Sequence, residues 1–258
     1  MKVRVPASIA NLGPGFDVLA MAIDLWLEAE AEPADAPNWL FEGEMPPTPN
    51  PISVLQMRGV VRSEIPVGVG LGSSAAARLA ALELSGFTEA GFSRLVAEEG
   101  HPDNLFAAQG RGVRLVYGRQ DSVRLPQPDW AVALAVANQP LATEEARSVL
   151  PQQVPIADAV FNASRTALFV HALWDRNAPL LRAAVEDRLH QPYRRPLYPW
   201  TVRVIDAARD EGAYASAICG AGPSVFALCS ETLAAPIAEA MASASGGHAR
   251  PLVTRVVQ

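Results

Sequence analysis

Gly68-Val69-Gly70-Leu71-Gly72 puts a glycine at every second position, and Ser73-Ser74-Ala75-Ala76-Ala77 follows without a break. Glycines leave backbone N–H groups unshielded by side chains. An alanine-rich helix opening at the serines aims the positive end of its dipole at the same place. Together these make an anion site, and a nucleotide polyphosphate is the usual occupant. Ser73 or Ser74 also stands where a helix is capped, and either hydroxyl suits phosphate or Mg²⁺, an ion that takes oxygen ligands. The run is not a Walker loop, because no Gly-Lys-Ser/Thr follows it, and it lacks the setting of a dinucleotide fingerprint. Taken alone it reads first as a structural turn that opens a helix.

Other polar residues gather at several places. Asn11 and Asp17 bracket the turn Asn11-Leu12-Gly13-Pro14-Gly15-Phe16-Asp17, and Glu99, His101, Asp103 and Asn104 crowd into Glu99-Gly100-His101-Pro102-Asp103-Asn104. Thr143-Glu144-Glu145-Ala146-Arg147 and Leu189-His190-Gln191-Pro192-Tyr193-Arg194 each end in an arginine, and Gly220 and Gly222 form a second glycine loop before Pro223. Each cluster has a structural reading too: a turn asparagine, a capping aspartate, a surface histidine, an acidic helix start, a solvated arginine pair.

The elements that must carry these residues follow from periodicity. Residues 2–5 and 23–31 alternate as half-buried strands do. Residues 33–51, rich in proline, read as an irregular loop. A helix is expected from Ser74 to a stop at Gly86, a second over 88–98, and a strand over 112–116. Pro126-Gln127-Pro128 reads as a hinge between domains 1–127 and 128–258. The second half reads as a strand over 130–137, helices over 143–150, 160–174, 177–189 and 200–212, strands over 214–218 and 224–228, a helix over 231–242 and a strand over 252–257. Without the extra helices that order is β-α-β-β-α-β. Half of the 258 residues are apolar and 19% are charged, as in an ordinary globular protein. A net charge of −6 without a basic block argues against a nucleic-acid partner. Met1 to Pro6 lacks a signal-peptide core, and no apolar run approaches the ~18 residues of a membrane span, so a cytoplasmic setting is expected. Cys219 and Cys229 have no metal-binding spacing and read as buried thiols.

Pro66-Val67-Gly68-Val69-Gly70-Leu71-Gly72-Ser73-Ser74-Ala75-Ala76 resembles the ATP-binding motif of the GHMP kinases. Pro6 to Asp17 resembles their first motif, and Cys219-Gly220-Ala221-Gly222-Pro223-Ser224 their third, in the same order along the chain. Within that superfamily the Asn11–Asp17, Glu99–Asn104, Thr143–Arg147 and Leu189–Arg194 segments are similar to the homoserine kinase family. The resemblance implies a two-domain α+β fold: a ribosomal protein S5 domain 2-like N-terminal domain and a ferredoxin-like C-terminal domain, with the active site between them. It implies phosphorylation of the side-chain hydroxyl of L-homoserine by ATP with Mg²⁺, a step of threonine biosynthesis, and a homodimer.

The resemblance also assigns roles. Residues 66–76 would hold ATP, with Ser74 and Glu99 on the metal. Asp17, Asn11 and Asn104 would sit at the reacting hydroxyl. His101, Asp103, Thr143, Gly220 and Gly222 would line the substrate site. Arg147 and Arg194 would clamp the carboxylate, whose geometry a guanidinium fork matches. Another GHMP small-molecule kinase, or a non-catalytic sensor of nucleotide or amino acid, are the alternative readings. Three departures from the pattern stand out. The stretch from Asn50 to Ile65 is too short for the helix the family has there, which implies a more open adenine pocket. Cys219 stands where serine is usual, and Gln109-Gly110-Arg111-Gly112 replaces the usual Leu-Gly-Gly.

Overall fold

The computed structural model describes residues 1–45, 48–126 and 129–258. Its first half opens with a long antiparallel pair, β1 (Lys2–Ala10) and β2 (Leu19–Pro33), in register from Lys2 opposite Glu30 to Ala10 opposite Ala20, with an irregularity between Pro6 and Ala7. β3 (Asn38–Gly43) runs parallel to β4 (Met57–Ser63), and β4 pairs with β2. The helices α1 (Ser73–Leu84), α2 (Glu89–Glu99) and α3 (Asp103–Gly110) come next, then the hairpin β5 (Val113–Val116) and β6 (Ser122–Leu125). The sheet order is β3-β4-β2-β5-β6, with β1 on β2. α1 and α3 lie against β1 and β2, so the alternating apolar face of those strands (Ile9, Leu19, Met21, Leu27) buries against Leu79, Leu105 and the alanines of α1.

The second half contains β7 (Ala131–Ala137), α4 (Thr143–Ser148), α5 (Ile156–Trp174), α6 (Ala178–Ala184) and α7 (Gln191–Arg194), which runs into a 3₁₀ turn at Arg195–Leu197. α8 (Thr201–Asp210), β8 (Ala215–Ile218), β9 (Val225–Cys229), α9 (Glu231–Ala244) and β10 (Ala249–Arg255) complete it. The sheet order is β10-β7-β9-β8, antiparallel throughout. With α4–α7 set aside, β7-α8-β8-β9-α9-β10 is the expected β-α-β-β-α-β unit. Beyond β10 the chain returns to the first sheet: Val256 bridges Ile23, Val257 donates to the Ala22 carbonyl, and its own carbonyl accepts from Gly112.

The expected hinge at 126–128 and the boundary at 127/128 fall on residues 127 and 128, outside the described residues, as do 46 and 47 of the proline-rich stretch. That stretch is not wholly irregular. It contains β3, whose Trp39 and Phe41 stack at 6.4 Å on the half-buried face. α3 and β6 were also not expected. Between Asn50 and β4 there is a turn rather than a helix. Asn50 Oδ1 accepts from the N–H groups of Ile52 and Ser53, which ties the turn locally. Among the described residues no helix is long and apolar enough to cross a membrane.

Candidate active site

α1 begins at Ser73, and its N-cap is Gly72 at φ +73° with no side-chain cap. This corrects the expectation that a serine caps the helix. With the cap in the left-handed region, both hydroxyls are left out of capping, and the first N–H groups of α1 have no partner within the helix. Gly72 has no room for a side chain, because a Cβ there would lie 2.1 Å from Ser8 Oγ on β1. Gly70 is equally confined, at φ +87° and with a Cβ position 2.1 Å from the Cys219 carbonyl. The two glycine loops therefore meet backbone to backbone. Val67, Gly68, Gly70, Gly72, Ser73, Ser74 and Ala75 line a cavity of about 440 Å³. Pro66, Val69, Leu71 and Ala76 lie beneath it, buried, so they support the loop rather than touch a ligand.

The same cavity gathers Asn11, Asp17, Glu99, His101, Asp103, Asn104, Thr143, Arg147, Arg194, Gly220 and Gly222. The N-terminal turn sets the first two. Asn11 and Asp17 both adopt positive φ (58° and 55°), which short polar side chains tolerate. Asn11 Oδ1 accepts from the Asp17 N–H at 2.8 Å while its Nδ2 donates to the Gly220 carbonyl at 3.0 Å. Arg147, on α4 of the other half, donates from both terminal nitrogens to the two Asp17 oxygens at 2.8 and 3.1 Å. This pairing engages one hydrogen on each terminal nitrogen of Arg147. Its Nε is buried and has no hydrogen-bond partner among the described residues.

Arg194 is 1% exposed. Its Nε donates to the Ala146 carbonyl at 3.1 Å, and its Nη1 donates to the Gly220 carbonyl at 2.9 Å and to His190 Nδ1 at 3.1 Å. His190 Nε2 donates to the Gly13 carbonyl at 2.9 Å, which fixes the tautomer. Burial, more than any neighbouring charge, lowers the His190 pKa and keeps the ring neutral beside the arginine. Behind it, Asp187 accepts from the N–H groups of Leu189, His190 and Gln191 and from Asn162 Nδ2, so α7 starts on a fixed carboxylate. Arg194 is thus held rigidly, with Nη2 the guanidinium nitrogen to which no described residue is bonded.

Asp103, the first residue of α3, is 2% exposed. One oxygen accepts from the Asn104 N–H at 2.9 Å, and the other is buried with no hydrogen-bond partner among the described residues. Burial first, then the charge of Asp17, pushes its carboxyl up to about 7. Asn104 is oriented by Ser8, whose hydroxyl donates to its Oδ1 at 2.8 Å. Glu99 pairs with Arg78 at 2.8 Å through one oxygen. Its other oxygen and the Ser74 hydroxyl are hard oxygen donors on the wall of one cavity, a donor set that fits Mg²⁺.

Ser8, Arg78, His190, Asn162, Asp187 and Tyr198 were given no role from sequence. Arg78 was within reach of that reading: it follows Ser74 by one turn of α1 and so faces the same side. Tyr198 was not. Its hydroxyl donates to the Ala221 carbonyl at 2.6 Å under Gly222, a contact that only the tertiary fold creates.

A family model described as GHMP kinases C terminal matches residues 169–247. The homoserine kinase of Thermus thermophilus is 37% identical over 98% of this chain and 94% of its own length. That of Desulfitobacterium hafniense is 35% identical over 96% and 93%. Among solved structures, the homoserine kinase from Cytophaga hutchinsonii superposes with a TM-score of 0.84 at 26% identity, covering all of this chain and 94% of that one.

Proposed function

The chain belongs to the homoserine kinase family of the GHMP kinases, and we propose from that premise that it transfers the γ-phosphoryl group of ATP to the side-chain hydroxyl of L-homoserine. One observation carries the choice of acceptor. Asp103 and Arg147 line a single cavity, and each carries a buried polar atom, the carboxylate Oδ2 and the guanidinium Nε, with no hydrogen-bond partner among the described residues. Leaving such groups unpaired is costly. A ligand with both an ammonium and a carboxylate, an amino acid, satisfies both. Arg194 Nη2 adds a second donor for the carboxylate.

In this reading the Gly68–Gly72 loop and the N–H groups at the start of α1 hold the triphosphate. Ser74 and Glu99 would hold Mg²⁺, which supplies charge neutralisation to the phosphates when bound. The substrate hydroxyl lies near Asn11, Asp17 and Asn104. Its oxygen bonds to the γ-phosphorus, the bridge to the β-phosphate breaks, ADP leaves and the hydroxyl proton is released. Asp17, with both oxygens engaged by Arg147, acts as a fixed hydrogen-bonding wall for that hydroxyl. Catalysis is then mainly positioning and electrostatic neutralisation. His101 and Thr143 complete the wall, and Gly220 and Gly222 let the backbone approach. The two functional domains are taken as 1–127 and 128–258.

The test is ADP release in a coupled assay with L-homoserine and Mg-ATP. Turnover dependent on L-homoserine is expected. Tight homoserine binding without turnover would mean a sensor instead, and preference for another hydroxy acid would mean a different acceptor within the GHMP kinases.

A further inference from the structure

A second cavity, of about 690 Å³, opens between α6 and α8, and none of its lining residues belongs to the first. Its size is that of a small-molecule site. Pro179 and Ala183 of α6 and Val202 and Ile205 of α8 give it apolar sides, and Phe161 and Val185 add to them. Four arginines and three carboxylates line it as well. The carboxylates are all engaged: Asp187 by the N–H groups that start α7, Glu186 by Arg165 at 3.4 Å, and Asp206 by Arg209. Arg188 is taken by Asp158 at 3.1 Å. Two cations are left over. Among the described residues Arg182 donates to the Ala213 carbonyl at 3.1 Å and pairs with no carboxylate, and Arg195 has no side-chain hydrogen bond or ion pair.

β8 is the outer strand of the second sheet. Cys219 donates to the Ser224 carbonyl across the hairpin, so alternate residues back along β8 face β9, and Ser216 and Ile218 turn their N–H groups outward. Gln191 Oε1 accepts from the Ile218 N–H at 3.2 Å. Ser216 lies between that contact and the Arg182 bond to Ala213, and no side chain among the described residues meets it in the same way. Ser216 is 8% exposed and lines the cavity, and its Oγ is buried with no hydrogen-bond partner among the described residues. Native folds rarely leave a buried hydroxyl in that state.

We propose that this cavity is a second ligand site, and that its ligand is a small organic carboxylate with an apolar body. The Arg182 and Arg195 guanidinium groups match a carboxylate, and the Ser216 hydroxyl can donate to it. Val202 and Ile205 cover the apolar part, whose burial drives binding. A phosphate ester fits less well, because the start of α7, on the same wall, is closed by Asp187 and offers no N–H cradle. Gln191 and Arg195 line this cavity, and Arg194, between them on the chain, lines the first. The two sites therefore stand on opposite sides of the 191–195 segment.

The test uses the full chain and three probes: 2-naphthoate, its uncharged counterpart 2-naphthylmethanol, and acetate, the headgroup alone. Calorimetric titration should give saturable binding of 2-naphthoate with a Kd below about 1 mM, and both comparison compounds should bind at least about tenfold more weakly. Arg195→Gln should weaken 2-naphthoate binding by about fivefold or more. Arg195 is exposed, so the fold should tolerate that change. Ser216→Ala should weaken binding too, while its Tm holds or rises, because an unpartnered buried hydroxyl costs stability. Arg147→Gln, in the first cavity, should leave the affinity unchanged. No saturable binding up to about 10 mM, equal affinity for the uncharged compound, weaker binding in Arg147→Gln, or an affinity untouched by Arg195→Gln would each overturn the proposal.

Discussion

Asp103 holds a proton that the unfolded chain loses near pH 4. Its carboxyl, pushed up to about 7 by burial and by Asp17, therefore binds more protons folded than unfolded. The free protein should lose stability as the pH rises from about 4 through 7. Asp103→Asn should remove that loss, and its Tm at pH 8 should exceed that of the unaltered protein in a thermal melt. The activity should move the other way. A substrate ammonium needs the ionised carboxylate, so the KM for homoserine should rise by up to about tenfold per unit as the pH falls below 7. With Asp103→Asn in place it should be high and nearly flat with pH. A pH-independent KM in the unaltered protein would exclude Asp103 as the ammonium partner. Arg194 acts on the other end of the substrate. Arg194→Ala should raise the KM for homoserine by roughly 10- to 100-fold, the range for a hydrogen bond to a charged group, while that for ATP changes little. Equal shifts in both would remove the clamp assignment.

The two glycine loops pack against each other at Gly70, where a side chain would strike the Cys219 carbonyl. Gly70→Ala, at positive φ and 2.1 Å from the Cys219 carbonyl, should separate the loops and lower kcat/KM for both substrates by about 100-fold or more. A near-normal rate would mean the loops need not touch. The turn at 50–55 stands where the family has a helix, and Pro51 lies on the cavity wall. KM values for ATP and GTP within about tenfold of each other are the expected result of an open base pocket, and strict ATP selectivity would count against it. At this scale the sequence was informative wherever periodicity was strong. The Ser73 helix, the β-α-β-β-α-β order and the glycine loops could all be read directly. β3 was hidden because prolines dominate its surroundings and its outer face is exposed, so its alternation was weak. α3, at eight residues, was too short to establish a period. The capping of α1 was misread because serine is the commoner cap and only the backbone shows Gly72 in the left-handed region. The engagement of Arg147 by Asp17 could not be read at all, since the two residues are 130 positions apart.

The whole site depends on both halves of the molecule. Asp17, Asp103 and the α1 terminus come from the first, and Arg147, Arg194 and Gly220 from the second. Their docking is reinforced by the last residues, where the Val257 N–H donates to the Ala22 carbonyl at 3.0 Å. Val257→Pro removes that donor, and a melt should show destabilisation of about 1–2 kcal/mol together with higher KM values for both substrates. Unchanged melting would mean the tail merely rests on the sheet. This return of the tail has a mechanical consequence. The second half is fastened to the first by the bridge at Ile23 and Val256 and again around the site, where Asn11 holds Gly220, Arg147 holds Asp17 and His190 holds Gly13. A block pinned at several separated places keeps its alignment as a keystone does between its neighbours. The two walls of the cavity are then set before any nucleotide enters, and the cost of bringing them together is met in folding rather than in each turnover.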